Sequence, residues 1–205
     1  VGSEMCIRDS DTGEGAISPY HKKHGGDLIW ELGTGYFGCR NHDGTFSAEK
    51  FAERSRIEQV KMIEIKLSQG AKPGKGGVLP KEKITPEIAE TRDVLMDVDC
   101  VSPASHSAFT TPREMVQFWQ QLRELSGGKP VGFKLCVGQP WQFMAIVKAM
   151  IEADNYPDFI VVDGAEGGTG AAPVEFMDNV GMPLLDGFLL VHNTLVGAGV
   201  RDKIK

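Results

Sequence analysis

Apolar residues along the chain fall into two kinds of stretch, which follow one another. Short runs that are continuously apolar, or that alternate apolar and polar residues, are typical of β-strands. They predict strands at 27–32, 36–40, 60–67, 99–102, 131–136 and 158–162. The last of these contains an unbroken apolar stretch after Asp158, which is typical of a strand buried on both faces.

Longer stretches carry apolar residues three or four positions apart and predict amphipathic helices between the strands. Ser47, Thr85 and Thr111 are hydroxyl residues suited to cap a helix, and proline follows the last two directly. The predicted helices run from Ser47 to about 57, from Thr85 past 92, from Thr111 to about 125, and over 139–152 and 184–197.

Strands separated by helices of ten or more residues favour parallel pairing through right-handed crossovers. We therefore predict an α/β fold and, within it, a partial (β/α)8 TIM barrel. A doubly wound open sheet is the alternative, since it also binds ligands at the carboxyl ends of its strands. At least three ligand-like loops follow successive strands, which favours the barrel because all such loops lie on one rim there.

Composition narrows the class of protein. The chain has 205 residues, of which 41% are hydrophobic and 24% charged, as expected for a globular protein with one core. Its net charge of −6 does not predict a nucleic-acid-binding surface, and no apolar run is long enough for a membrane-spanning helix. The four cysteines form no CxxC pair, so we expect no metal site or disulfide framework in this stretch and a reducing, cytoplasmic location.

The two ends of the sequence differ from the rest. Residues 1–10 join no periodic pattern and read like the translated end of a transposon used in sequencing libraries, so we predict that they are an artefact. Residues 11–205 then form one incomplete barrel domain. Residues 200–205 resemble the approach to a further strand, which predicts that the sequence is a piece of a longer protein.

A glycine-rich turn at 163–173 follows the strand at 158–162. Four glycines in seven residues permit positive φ or a close approach of the backbone to another group. Pro173 predicts that a helix begins there. A strand, a glycine turn and a helix start together favour an anion or a flat polar ligand, and a tight connection without ligand is the alternative.

A second loop, 68–80, follows the strand at 60–67 and carries Lys72 and Lys75 among glycines. Backbone N–H groups and mobile ammonium groups together suit an anionic ligand. A solvated surface loop is the alternative for this stretch taken alone.

Two further cations are candidates for binding. Arg92 can hold a carboxylate with two parallel hydrogen bonds, or it can pair with Asp93 or Glu90 at the surface. Lys134 lies inside the apolar strand 131–136, where an unpaired ammonium is costly, so it needs an acceptor. That acceptor is either a carboxylate of the protein or a ligand.

Two long motifs in a fixed order carry a family resemblance. Residues 68–80 read SQGAKPG-x-GG-x-LP, and residues 163–173 read DG-x-x-GGTGA-x-P, with Arg92 and a GFKL segment between them. From about Thr12 onward the chain resembles the FMN-binding synthase domain of glutamate synthases. It is most similar to the shorter FMN-binding members that lack the glutamine amidotransferase domain. The resemblance implies an FMN-containing (β/α)8 barrel, with a 3Fe-4S cluster held by cysteines that this sequence does not contain.

The resemblance also implies roles for single residues. Lys72 and Arg92 match positions around the carboxylates of 2-oxoglutarate, and Glu14 matches a glutamate of the TGEG turn near the substrate. Lys134 matches a lysine beside the flavin N1–C2=O region. Lys134 and Glu14 are thus the implied catalytic residues, and the implied flavin-binding residues are Lys134, Gly167, Gly168, Thr169 and Gln69. We expect Lys72, Lys134 and the turn at 167–170 to border one cavity.

The expected activity is that of an FMN-dependent oxidoreductase of the class that acts on CH–NH2 donors. It reduces an imine derived from 2-oxoglutarate to glutamate, with electrons from a donor protein or a nicotinamide-linked subunit, and we expect little catalysis from this stretch alone. Val78 stands where glutamate synthases have glutamine. This departure keeps open an FMN oxidoreductase of another substrate, and a non-catalytic barrel module that binds phosphate or carboxylate is the third alternative.

Overall fold

A computed structural model describes residues 9–167 and 172–205. Its main sheet has five parallel strands: β1 (Asp9–Asp11), β2 (Asp27–Leu32), β3 (Val60–Lys66), β6 (Val131–Cys136) and β7 (Ile160–Asp163). Two short strands, β4 (Val78–Leu79) and β5 (Cys100–Val101), form a separate antiparallel pair. The helices are α1 (Pro19–Lys22), α2 (Ala48–Ser55), α3 (Pro86–Arg92), α4 (Pro112–Leu125), α5 (Pro140–Ala153) and α6 (Leu184–Gly197).

The order of the strands decides between the two candidate folds. Neighbours in the sheet follow the chain, β1-β2-β3-β6-β7, and every neighbouring pair is parallel. A doubly wound sheet reverses its strand order at a switch point, whereas a barrel adds each strand on the same side. The sheet curls into a half-barrel with helices outside it, so the prediction of a partial TIM barrel is confirmed.

The predicted helix starts are confirmed by their caps. The side-chain oxygens of Ser47, Thr85 and Thr111 accept hydrogen bonds from the backbone N–H groups three residues further on, at 3.4, 3.3 and 3.2 Å. These bonds satisfy N–H groups that have no partner within the helix. Local chemistry therefore fixes where α2, α3 and α4 begin.

Two predicted elements are wrong, and a third is shorter than predicted. Residues 36–40 form turns instead of a strand, because Tyr36 and Gly38 have φ of +46° and +85°, and Arg40 makes only an isolated bridge with Phe46. The strand predicted at 99–102 shrinks to β5 and pairs with β4 outside the main sheet. No helix begins at Pro173: the described residues 172–183 form turns, and α6 begins at Leu184.

The two faces of the sheet differ because successive side chains in a strand point to opposite sides. The outer face is apolar and packs on the helices. Trp30 of β2 stacks on Phe51 of α2 with ring centroids 5.3 Å apart, and Phe133 of β6 stacks on Trp119 of α4 at 6.1 Å. The inner, concave face carries the charged residues of the same strands, and it is this face that holds the candidate site.

The ends of the described chain both join the sheet. Asp9 and Ser10 pair with β2 as part of β1, while the origin of residues 1–10 stays a prediction. At the other end, the Lys205 N–H donates to the Asp158 carbonyl, and the Lys205 carbonyl accepts from the Ile160 N–H, both at 3.0 Å. Among the described residues, no helix has both the length and the apolar character needed to cross a bilayer.

Candidate functional site

A row of charged residues crosses the inner face of the sheet, with like charges side by side in the strand register. In the strand register Glu31 of β2 lies beside Glu64 of β3, and Lys66 of β3 lies beside Lys134 of β6. Glu31 and Glu64 are each only 2% exposed. The pattern follows from strand alternation, because each of these residues occupies an inward position between two apolar outward ones.

The charges pair along this row. Lys134 Nζ donates a hydrogen bond to Glu31 Oε2 and lies 3.8 Å from Glu64 Oε1. Lys66 Nζ lies 3.9 Å from Glu31 Oε1 and 3.3 Å from Glu14 Oε2. Of the two acceptors that the sequence allowed for Lys134, the structure therefore shows a carboxylate.

Burial and neighbouring charges shift the protonation of this row. Burial raises the pKa of Glu64 well above its ordinary range, and the charges of Asp11 and Glu31 raise it further. Burial by itself disfavours the charged form of Lys134, but the hydrogen bond to Glu31 and the surrounding carboxylates leave its pKa raised. Lys134 is thus a cation at neutral pH.

Three carboxyl groups meet at one end of the row. Asp11, Glu31 and Glu64 each place an oxygen within 4.8 Å of the other two, a spacing seen in cation sites. Lys134, in direct contact with Glu31, already supplies positive charge there. We therefore interpret the three carboxyl groups as part of the row of ion pairs, and we do not assign a metal ion to them.

A small polar cavity lies at the carboxyl end of β3. Its charged and polar lining comes from residues of three segments: Glu14, Thr34, Lys66, Ser68, Gln69, Lys72 and Lys75. Its volume of about 30 Å³ gives room for one or two water molecules. Three ammonium groups converge here against one carboxylate, which makes the cavity suited to anionic groups.

Lys66 organises one wall of this cavity, although the sequence prediction did not single it out. Its Nζ donates a hydrogen bond to Gln69 Oε1 at 3.1 Å and pairs with Glu14. The signal that could have found Lys66, Glu31 and Glu64 is a charged residue at an inward position of a buried strand. Strand prediction rests on the apolar residues of these stretches, so it does not show which charged residues of neighbouring strands meet.

The loops after β3 and β7 touch each other. The Gly70 N–H donates to Asp163 Oδ2 at 2.9 Å, and a Cβ placed on Gly70 would lie 1.6 Å from the Gly164 carbonyl oxygen. Only glycine allows this approach of two backbones. The contact joins the lysine loop to the start of the glycine-rich turn.

The glycine-rich turn is described up to Gly167. Gly167 has φ +82°, and no atom of the described residues lies within 4 Å of the place where a Cβ would be. Gly168 and Thr169 lie outside the described residues, so their predicted flavin contacts stay predictions.

Arg92 lies at the end of α3, close to the turn that carries Glu14. Its guanidinium lies over the Phe37 ring, 5.3 Å from the centroid, and packs on Gly15, where a Cβ would be 3.2 Å from Nη2. Asp93 pairs with Lys50 rather than with Arg92. Arg92 is thus next to the TGEG turn, but it does not line the small cavity among the described residues.

The structure brings Glu14, Gln69 and Lys72 together around the small cavity. Lys134 lies beside Lys66 in the register but is not one of the described lining residues. Val78 belongs to β4, is 59% exposed and does not line the cavity either. We expected Lys72, Lys134 and the turn to border one cavity. Among the described residues, Lys72 lines the small cavity, whereas Lys134 and Gly167 do not.

A larger cavity of about 600 Å³ lies behind a wall formed by Leu67, Ser68, Gly74 and Ala104. No lysine, arginine or carboxylate lines it among the residues that the structure describes. A dicarboxylate needs cationic partners, so the small charged cavity is the better candidate despite its size. At about 30 Å³ the cavity is smaller than a dicarboxylate, so binding there needs its lining residues to move apart.

A buried histidine links three segments at this edge of the sheet. His106 Nε2 donates to the Lys66 carbonyl and Nδ1 accepts from the Tyr36 hydroxyl, both at 2.9 Å. Burial lowers the pKa of His106 to about 4, so the ring is neutral at pH 7. Both nitrogens are used, which makes His106 a structural anchor of the loop that borders both cavities.

Protonation of His106 should destabilise the fold in acid. The unfolded chain takes up a proton near pH 6.5 and the folded one only near pH 4, so stability is lost as pH falls through this window and is unaffected above it. The loss amounts to about 3 kcal/mol. In urea unfolding, the stability gap between the protein and a His106→Gln variant should shrink by that amount from pH 7 to pH 4.

Exposed His42 provides the control for this prediction. The gap between the protein and His42→Gln should change little over the same pH range. A His106 gap that does not depend on pH would show that the ring is not buried in its neutral form.

Comparison with known proteins gives a consistent match. The sequence model of a family described as a conserved region in glutamate synthase matches residues 1–205. The glutamate synthase large subunit-like protein YerD of Bacillus subtilis is 42% identical over 195 residues, which are 95% of this chain and 37% of that protein. An archaeal glutamate synthase [NADPH] of Methanocaldococcus jannaschii is 34% identical over 200 residues, 97% of this chain and 36% of that protein.

Another relative matches a smaller part of the chain. A ferredoxin-dependent glutamate synthase of Antithamnion sp. is 35% identical over 148 residues, 72% of this chain and 9% of that protein. The chain thus spans little more than a third of the length of the curated relatives that it matches over most of its own length.

Proposed function

The chain belongs to the glutamate synthase family, and from this membership we propose that it forms part of an FMN-dependent oxidoreductase that makes glutamate from a 2-oxoglutarate-derived imine. One structural observation carries the proposal beyond family membership. Glu14, Gln69 and Lys72, which come from two separate motifs, line the same cavity at the carboxyl ends of the parallel strands. This is the rim on which barrel enzymes build their active sites.

The residues present fit a flavin beside this cavity. Lys134 offers a cation on the inner face with 21% of its side chain accessible, and Gly167, with φ +82°, lies in the turn at the next strand end. We propose that Lys134, Gln69 and the 167–169 turn hold the flavin. When bound, FMN supplies the hydride chemistry that amino-acid side chains lack.

The roles of the remaining residues follow from charge. Lys72 is 7% exposed and lines the polar cavity, and we assign its ammonium to a substrate carboxylate. Glu14 is held by Lys66 at 3.3 Å and is the acid–base candidate at the substrate. Arg92, next to the Glu14 turn, is assigned to a second carboxylate that enters once the cavity widens.

Partners and location are part of the same proposal. The relatives are named for NADPH and for ferredoxin, so we propose a nicotinamide-linked or ferredoxin-type electron donor. An iron–sulfur cluster would be held by another part of the complete protein, in the cytoplasm. An FMN oxidoreductase of another substrate is the second candidate, because Val78 replaces a glutamine of the family.

The test is an assay of the complete protein that contains this chain. We expect bound FMN, and reoxidation of the reduced flavin by 2-oxoglutarate together with ammonia or glutamine, with formation of glutamate. Flavin without this reoxidation would favour another substrate, and absence of flavin would favour a non-catalytic binding module.

A Lys72→Ala variant tests the substrate assignment. Removal of one ammonium from a dicarboxylate site should raise the KM for 2-oxoglutarate by about tenfold to a hundredfold, the value of a charge-assisted hydrogen bond, and leave flavin content unchanged. Steady-state kinetics with flavin quantitation measures both. Exposed Lys83, in the turn before α3, serves as the matched control, and an unchanged KM in Lys72→Ala would remove Lys72 from the site.

A further inference from the structure

We propose that Glu31 and Glu64 together hold one proton at neutral pH and so form a proton store next to Lys134. Its use in catalysis rests on the proposed function, whereas the storage itself rests only on the geometry of the inner face. The pair lies on neighbouring strands, and both side chains are almost fully buried.

Glu64 lacks what an ionised carboxylate needs. Its Oε1 is buried and accepts no hydrogen bond from the described residues. The nearest ammonium, Lys134 Nζ, lies 3.8 Å away, beyond hydrogen-bond distance. A buried carboxylate oxygen without a donor makes the ionised form of Glu64 costly, so the neutral acid is favoured.

The cations of the inner face are already engaged. Lys66 donates to Gln69 at 3.1 Å and pairs with Glu14 at 3.3 Å, while its distance to Glu31 is 3.9 Å. Among the residues described, Lys134 is the one ammonium that hydrogen-bonds this pair, and Lys66, 3.9 Å from Glu31, is shared with Glu14 and Gln69. The positive charge beside the two buried carboxyl groups is thus too small to balance both, and one of them keeps its proton.

Two of the three charged groups that face Glu64, among the residues described, disfavour its ionised form. Asp11 from β1 and Glu31 from β2 are acidic, and Lys134 from β6 is the only basic one in close contact among the described residues. Burial and these two acids raise the pKa of Glu64, and the partial compensation by Lys134 does not reverse this. The carboxyl groups of Glu31 and Glu64 can then share the retained proton.

Such a pair sets the charge beside Lys134, which we place at the flavin. While the proton is retained, one carboxylate faces the ammonium; when the O–H bond of the pair breaks and the proton passes to water, two carboxylates face it. No electron is transferred, and the pair regains its proton from water afterwards. Glu31 and Glu64 are in this sense positioning residues that act through Lys134.

The test is a titration of the flavin-free protein by NMR, with glutamate labelled at its side-chain carboxyl carbon. Between about pH 3 and pH 10, one glutamate carbon of the protein should titrate well above the ordinary value of about 4.3. Glu64→Gln should abolish this step, and Glu31→Gln should move it toward the ordinary range because the like charge is removed. Glu58→Gln, which removes an exposed carboxyl, should leave it in place.

Two results would overturn the proposal. One is that every glutamate carbon of the protein titrates in the ordinary range, and the other is that the high step persists in both Glu31→Gln and Glu64→Gln. A complete protein without flavin would defeat the proposed function but would not alter this titration, so the two failures can be told apart.

Discussion

Replacement of Lys134 by alanine is expected to strip flavin from the complete protein and to lower its free energy of unfolding by about 3–5 kcal/mol. The lysine is the direct partner of Glu31 and the nearest cation to Glu64, and both carboxyl groups are buried. Without it, the inner face retains buried acidic groups that lack a counter-charge. Flavin absorbance of the purified protein and urea unfolding measure the two effects.

Two further variants separate charge from packing. Lys134→Met keeps most of the aliphatic stem, so it should lose as much flavin as the alanine variant and differ from it only in the packing contribution. Lys148→Ala removes a lysine of α5 that is 78% exposed and should change neither property. If Lys134→Ala kept its flavin content and its reduction rate, Lys134 would be only an ion-pair residue of the inner face.

The fold could be predicted largely because its signals are local. Thr111 and Pro112 mark the start of α4, and the apolar run at 131–136 gives β6 with the bounds that the structure shows. The predicted elements that the structure does not show lie where long-range contacts or backbone angles determine the conformation. Tyr36 adopts a positive φ, and its hydroxyl forms hydrogen bonds with His106 and Ala108 that no local pattern reveals.

The candidate site was predictable only where a motif names its residues. Lys72, Gln69 and Glu14 came from the loop motifs, and the structure gathers them around one cavity. Lys66, Glu31 and Glu64 belong to strands, and their importance depends on which strands are neighbours. That information lies in the sheet register, which sequence periodicity alone does not provide.

Gly70→Ala is expected to be the most damaging single methyl addition in the lysine loop. The new Cβ would lie 1.6 Å from the Gly164 carbonyl oxygen and 2.5 Å from its carbon, so two backbone segments must move apart. Movement on this scale breaks the hydrogen bond from the Gly70 N–H to Asp163 and separates the loops after β3 and β7. We expect a loss of about 3 kcal/mol or more in urea unfolding, together with loss of bound flavin.

Gly77→Ala is the matched control for this prediction, because it lies in the same loop and a Cβ there would meet no atom within 4 Å. Its stability should stay within about 1 kcal/mol of the parent protein, with a small gain if the unfolded chain is stiffened. Asp163→Ala removes the hydrogen bond without adding a clash and should cost about 1 kcal/mol, clearly less than Gly70→Ala. A Gly70→Ala protein as stable as Gly77→Ala would mean that the loops after β3 and β7 do not meet at this point. The contact that we expect to hold the flavin and substrate residues close together would then be absent.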